Sequence, residues 1–301
     1  MMHGREDRRS DIATLFTERD TMRFSTILIG GILAAATATP AMAQDTAPPE
    51  PITISGSATL VTDYRYRGVS QTDKEMAFQA GLTVSHESGV YAGFWGSNLA
   101  GWGTFGGSNT ELDLLGGVVV PVGGGGNLDL GLTWIMYPGG ADTTDFAELH
   151  AKLSGEIGPI SLAANVSYAP PQKALGKVYY TGAAAAAGTP DDPGDKEDNL
   201  YLSGDGAYAI MNTPVTLDAH IGYSDGNSGL GPNGTSIAPT GTYFDWSLGG
   251  SVVYKSLTLG VHYIDTDISK SDAAYLLPNF SKGGTTPIAD ATVVFSIGAS
   301  F

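Results

Sequence analysis

Residues 127–137 read NLDLGLTWIMY. Leu128, Leu130, Leu132, Trp134 and Met136 take alternate positions, while Asn127, Asp129 and Thr133 fall between them. Successive side chains on a β-strand point to opposite faces, so this stretch predicts a strand with one apolar and one polar face. The same alternation recurs along the chain. In 144–157, Leu149, Ala151, Leu153 and Ile157 oppose Glu148, His150, Lys152 and Glu156. In 215–224, Val215, Leu217, Ala219, Ile221 and Tyr223 oppose Thr216, Asp218, His220 and Ser224. In 257–263, Leu257, Leu259, Val261 and Tyr263 oppose Thr258 and His262.

Extended over the chain, the pattern predicts about twelve strands, near 53–66, 74–87, 89–98, 110–121, 127–137, 144–157, 160–169, 198–210, 215–224, 242–254, 257–265 and 289–301. The stretch 89–98 is the hardest to orient, because Tyr91 and Trp95 compete with Phe94 for the apolar face. The connections alternate in length. Five are tight: Glu87-Ser88-Gly89, the Gly123–Gly126 run, Gly158-Pro159, Asn212-Thr213-Pro214 and Lys255-Ser256. Most of the others are longer and rich in Gly, Asp, Asn and Pro, the longest running from Pro170 to Glu197 around the Ala183–Ala187 tract. Tight turns at one end and long loops at the other predict an all-β, transmembrane, up-and-down antiparallel β-barrel. An even strand count returns the chain to the side on which it began.

The aromatic residues fit that architecture. Tyr64, Tyr168, Tyr223 and Tyr263 close the strands running toward the long loops, and Tyr208, Tyr254 and Phe301 close those running back. Tyr and Trp favour the membrane–water boundary, where the ring is in hydrocarbon and its polar edge is wet, so two girdles are expected.

The chain has 301 residues, 42 of them Gly and none Cys, and only 15% are charged. That charge content is low beside the roughly one quarter usual for soluble globular domains. Beyond the N-terminal region no apolar run approaches the roughly 18–20 residues that a spanning helix needs. The net charge of -16 argues against nucleic-acid binding and against a polybasic dock on an anionic membrane. The absence of Cys removes disulfides, thiol catalysis and thiolate metal sites.

Met22–Ala43, MRFSTILIGGILAAATATPAMA, has the form of a secretory signal: Arg23, an apolar core from Phe24 to about Ala36, and the small-x-small pattern Ala41-Met42-Ala43. Cleavage is expected between Ala43 and Gln44. The charged stretch Met1–Thr21 is foreign to such a signal and reads as an extension from a start codon placed too early. Residues 44–51 form a Pro-rich lead-in, expected to be mobile in the periplasm, and 52–301 the barrel. At the other end Val293, Phe295, Ile297, Ala299 and Phe301 alternate on one face. A last strand ending in Phe resembles the signal read by the barrel assembly machinery of bacterial outer membranes, carried here by Phe295, Ile297 and Phe301.

Residues 55–98 carry Thr62-Asp63-Tyr64-Arg65-Tyr66-Arg67-Gly68, then Ser70-Gln71-Thr72-Asp73, Ser85-His86-Glu87-Ser88-Gly89 and Tyr91-Ala92-Gly93-Phe94-Trp95-Gly96-Ser97. These runs resemble the opening of the TorF-type porin family, proteobacterial barrels of otherwise unknown function. The resemblance implies an outer-membrane barrel of porin type and supplies neither a substrate nor catalytic residues. The 170–197 insertion departs from it.

If the apolar face meets lipid, the polar face lines a lumen. Candidate pore-lining residues are Asp63, Arg65, Arg67, Glu75, Glu148, His150, Lys152, Asp218 and His220, with Gln79, Glu111, Asp113, Asp129, Glu156, Asp205 and Asp245 as further interior positions. Asp113, flanked by apolar residues, is poorly placed by alternation. Two roles compete for Arg65 and Arg67. They form either a point of positive charge in an otherwise cation-favouring constriction, or cross-links to carboxylates that hold a narrow barrel shut. No HExxH or other metal spacing occurs among His86, His150, His220 and His262. A lipase on the outer wall would need a base beside a serine; His86 falls on the apolar side with no serine partner identified. The acidic run Asp191–Asp198 lacks the spacing of an EF-hand loop and reads as solvated. The expectation is a passive channel for ions or small hydrophilic solutes, with no catalytic residue, metal or cofactor. The alternatives are a non-conducting barrel that works through its loops, or, less favoured, a lipid-modifying enzyme. Partners would be outer-membrane lipids, the assembly machinery and small polar solutes. Monomers and trimers both suit the pattern.

Overall fold

A computed structural model describes residues 51–101, 105–238, 240–271, 276, 281–282 and 286–301. The expected N-terminal extension, the signal peptide and all but the last residue of the lead-in lie outside these residues. The chain forms one closed antiparallel barrel of twelve strands, each paired with its sequence neighbours. In order they are β1 (Ile52–Val61), β2 (Ala77–His86), β3 (Val90–Asn98), β4 (Thr110–Gly123), β5 (Gly126–Met136) and β6 (Phe146–Ile157). Then follow β7 (Ile160–Gln172), β8 (Glu197–Ala209), β9 (Val215–Asp225), β10 (Thr242–Tyr254), β11 (Leu257–Thr266) and β12 (Thr292–Ser300). The wall closes where β1 meets β12, from Ser57 opposite Ser300 to Val61 opposite Ser296.

All twelve expected strands are present, and the five tight turns gather at one end. Gly89, Gly124, Gly158, Asn212 and Lys255 turn the chain there with φ between 58° and 89°. Large apolar side chains on the outward positions, among them Leu132, Trp134, Leu202, Ile221, Val261 and Phe295, are exposed. Such a belt around a closed barrel, with every ladder hydrogen bond made within the wall, is what a lipid phase requires of a spanning protein. The stretch 90–98 resolves plainly: Phe94 faces out, while Trp95 is buried and Tyr91 hydrogen-bonds across the interior.

The long loops pack into the mouth at their end of the barrel. Val69, Leu99, Tyr137, Leu175, Leu230, Ile237, Ile268 and Ile288, from six different loops, join the inward Ile135, Phe146 and Ile264 in one buried apolar cluster. The 170–197 insertion contributes α1 (Gly182–Ala187), N-capped by the Thr181 hydroxyl, and ties to the β9–β10 loop through reciprocal backbone bonds between Tyr179 and Leu230. Its acidic side chains brace the loop: Asp191 accepts from the Tyr180 amide and Asp195 from the Lys177 amide, both at 2.8 Å.

Of the boundaries that differ from expectation, three bear on the site. β1 stops at Val61, β2 begins at Ala77, and β12 begins at Thr292. The intervening Tyr64–Ser70 turns into the barrel as a tight hairpin, with Arg65 opposite Ser70 and Tyr66 opposite Val69. Arg67 (φ 49°) and Gly68 (φ 79°) make its tip. Tyr64 therefore leaves the outer girdle where alternation put it. It is 2% exposed, meets Trp95 edge-on, and donates its hydroxyl to Glu111. Glu75, expected on the inner wall, lies exposed in the loop before β2. The other girdle residues, Tyr168, Tyr208, Tyr223, Tyr254 and Tyr263, stand on outward positions, as do Phe295, Ile297 and Phe301.

Candidate functional site

The inward hairpin is a strap across the lumen. It leaves the wall after β1, and in a ring of twelve strands the far side is β7. Arg67 reaches the two strands that flank β7. Its Nη2 donates to Glu148 on β6 at 2.5 Å and its Nη1 to Asn199 on β8 at 2.6 Å. The guanidinium lies 4.1 Å from the centre of the Tyr201 ring and 4.8 Å from that of Tyr66. Tyr243 on β10 donates its hydroxyl to the Arg67 carbonyl at 3.0 Å. Burial would depress the guanidinium, but Glu148, with Tyr66, Tyr201 and Tyr243 behind it, more than reverses this and holds it above its ordinary value. The Tyr66 hydroxyl is pushed up by burial; Arg67 opposes that, and Glu148, Glu111 and Asp113 add to it.

Arg65 anchors the near end of the strap. Its Nε meets Asp63 at 2.7 Å, and its Nη1 donates to the carbonyls of Gly68, Ile288 and Asp290 at 2.8–3.0 Å. Asp63 also accepts from the Ser70 hydroxyl. Of the two roles weighed for the arginines, cross-linking to carboxylates describes their contacts in this structure.

Toward the turn end the inner wall carries three histidines in four contacts with carboxylates. His220 Nδ1 stands 2.7 Å from Asp205, and its Nε2 stands 3.2 Å from Asp245 and 2.9 Å from the Tyr201 hydroxyl. His262 Nε2 lies 2.9 Å from Asp218. His150 Nε2 lies 3.5 Å from Asp129, whose carboxylate also takes the Tyr91 hydroxyl at 2.9 Å. Lys152 is on the same inner face, half-buried. Glu111 and Asp113 are both inward and buried, Asp113 included although alternation placed it poorly. Gln79 also points inward and is buried, while Glu156 is exposed at the turn end. Asp129, Asp205 and Asp245 thus lie inside as expected, beside His150 and His220, while Asn199, Tyr66 and Tyr201 are site residues that the alternation did not single out. Tyr201 follows Leu200 in an alternating run, and that position alone places it inside.

His86 does have a serine beside it: Ser88 Oγ is 2.9 Å from His86 Nδ1. The Ser88 amide donates to the same nitrogen, so this is a turn contact within an exposed tight loop.

Residues 45–301 match the family model described as a bacterial protein of unknown function (Gcw_chp). The chain belongs to this family. No curated protein matches this Gcw_chp chain. Among solved structures, the chain is similar to the NanC porin, at 11% identity, covering 83% of this chain and 99% of that one, with a TM-score of 0.47. It is similar to the KdgM porin at 8% identity, 82% and 99% coverage and a TM-score of 0.48. An outer membrane channel from Pseudomonas putida F1 aligns at 8% identity, 84% and 96% coverage and a TM-score of 0.45.

Proposed function

We propose that this Gcw_chp protein is a TorF-type outer-membrane channel of a Gram-negative bacterium, exported with cleavage near Ala43 and inserted by the barrel assembly machinery. In this reading the long loops face outward from the cell and ions or small hydrophilic solutes diffuse through the lumen without energy coupling. The observation that carries it is the contrast between the two faces of one wall. The outside is apolar, and the inside presents Asp129, Asp205, Asp218, Asp245, Glu148 and Lys152 together with three histidines. Carboxylates outnumber fixed cations there, and a lumen lined by acidic groups favours cations over anions. The strap and the apolar cluster obstruct the loop end, so conduction follows displacement of Tyr64–Ser70.

The test is single-channel recording of residues 44–301, refolded in planar bilayers, with reversal potentials under a salt gradient. Discrete steps with cation preference are expected. Silence from protein that is demonstrably folded in the membrane would overturn the channel reading. It would favour a sealed barrel, to which the buried cluster in the mouth gives some ground.

A further inference from the structure

We propose that the far wall of the lumen holds a binding site for a guanidinium group, and that Arg67 occupies it as an internal stand-in for a solute. The proposal rests on the channel reading for its physiological direction, though not for the binding itself. A guanidinium is a flat cation with in-plane N–H donors and two apolar faces. The wall meets each of these demands. Glu148 and Asn199 accept in the plane at 2.5 and 2.6 Å, and the Tyr201 ring covers one face at 4.1 Å. An ammonium is a point charge that would use the carboxylate while leaving the fork and the ring contact incomplete.

The site is built by the wall itself. Asn199, fully buried, donates its Nδ2 to the Ser224 hydroxyl at 3.2 Å and to the Asp225 carbonyl at 2.9 Å. That arrangement leaves Oδ1 as the atom facing the lumen, whether or not Arg67 is there. Tyr201 is fixed by its own hydroxyl, which donates to Asp245 at 3.0 Å beside His220. Only Tyr66, whose ring centre is 4.8 Å from the guanidinium, comes from the strap. Glu148, Asn199 and Tyr201 stand on two rigid strands, β6 and β8, while Arg67 stands on a hairpin tip. A ligand group on a loop set into a receptor on a scaffold is the arrangement that a competing solute can displace. Solutes bearing a guanidinium, as arginine does, would take the seat, release the strap and be drawn into the acidic lumen beneath.

The experiment uses the refolded barrel and methylguanidinium as probe. In Arg67→Ala, the vacated site should bind methylguanidinium. Binding is read as protection against thermal unfolding, and as current block at a concentration at least about ten times lower than that for potassium or methylammonium. Glu148→Gln or Asn199→Leu, in the Arg67→Ala background, should abolish both effects. The parent, with its seat filled, should show a weaker response. Heat-dependent gel mobility reports the folding of each variant, and Asn199→Leu serves if Glu148→Gln does not fold. Conduction by Arg67→Ala without selective binding of methylguanidinium would overturn the site and leave the channel standing. Selective protection in a barrel that never conducts would keep the site and discard the channel.

Discussion

Phe301 and Gly56 close the seam of the barrel against each other. Each donates its amide to the other's carbonyl, at 3.1 Å from Gly56 and 3.0 Å from Phe301. The Phe301 ring lies on the outer face of Gly56, where an added Cβ would come within 2.6 Å of the ring edge. The glycine is thus a seat for the Phe301 ring, which serves the finished wall.

Substituting that seat should couple the two positions. Gly56→Ala is expected to cost about 1 kcal/mol, at the low end for overpacking because an exposed ring can swing away. In a Phe301→Ala background the same change should cost less, the remainder coming from the Gly81 carbonyl oxygen, 3.2 Å from the added Cβ. Urea titration of barrels folded in vesicles gives the double-mutant cycle. An equal cost in both backgrounds would mean that the ring does not rest on Gly56 in the membrane.

Neighbouring residues on β8 should respond in opposite ways to charge. Leu202 faces outward and is exposed near the middle of the strand, while Ser203 faces the interior. Leu202→Arg should destabilise by about 2–4 kcal/mol in a bilayer, the cost of a lipid-facing cation near the midplane. Ser203→Arg should cost much less, because water and the Asp205 carboxylate lie on its side of the wall. Unfolding free energies in vesicles decide, and a reversed order would mean that the register of β8 is off by one residue.

The wall was legible because its two faces impose the period directly: Leu128 to Trp134 alternate outward while Asp129 and Thr133 turn to the polar interior, and only Ile135, under the loop cluster, is apolar on the inner side. Four of the five tight turns carry Gly or Asn where positive φ is needed, and Lys255 takes that place in the fifth. The strap did not show. Asp63, Arg65 and Arg67 alternate as a strand would, so the pattern ran on to residue 66 and put Tyr64 outside. What ends β1 is nonlocal: the carbonyls of Ile288 and Asp290 receive Arg65, and Glu148 and Asn199 receive Arg67, from more than 80 residues away. The local hint was Arg67-Gly68, a pair suited to a two-residue turn with both φ positive. The histidine–carboxylate contacts were half legible. Alternation put His150, His220 and His262 on the inner face, but their partners depend on strand register.

Removing the anchor of the strap should loosen the strap more than the barrel. Arg65→Ala leaves Asp63, only 5% exposed, without its guanidinium, a loss on the order of 3 kcal/mol for a buried pair. That cost falls on the hairpin and on the loop at 288–290, because neither belongs to the wall. Limited proteolysis of vesicle-inserted protein should therefore cut near residues 62–76 far faster, with the urea midpoint of the barrel little changed. Removing both charges, in Asp63→Asn with Arg65→Met, should restore much of the resistance. Cleavage unchanged from the parent in Arg65→Ala would show that the apolar cluster alone holds the strap.

Glycines on the inner wall leave room for neighbouring rings, and Gly249 beside His262 is one such case. A Cβ there would stand 2.3 Å from Cδ2 of His262 and 2.4 Å from the Val261 carbonyl oxygen. The ring could yield by turning, at the expense of its 2.9 Å contact with Asp218. The carbonyl cannot yield, since it belongs to the β10–β11 ladder. Gly249→Ala should therefore cost about 1–3 kcal/mol. In a His262→Ala background only part of that should be recovered, the remainder measuring the backbone clash. Gly204→Ala is the control: its Cβ would meet nothing closer than 3.9 Å, so it should stay within about 0.5 kcal/mol of the parent. Equal effects of the two alanines in urea titration would mean that His262 does not lie against the wall at Gly249. The ring would then project into the lumen, and it would have to be counted among the groups that narrow it.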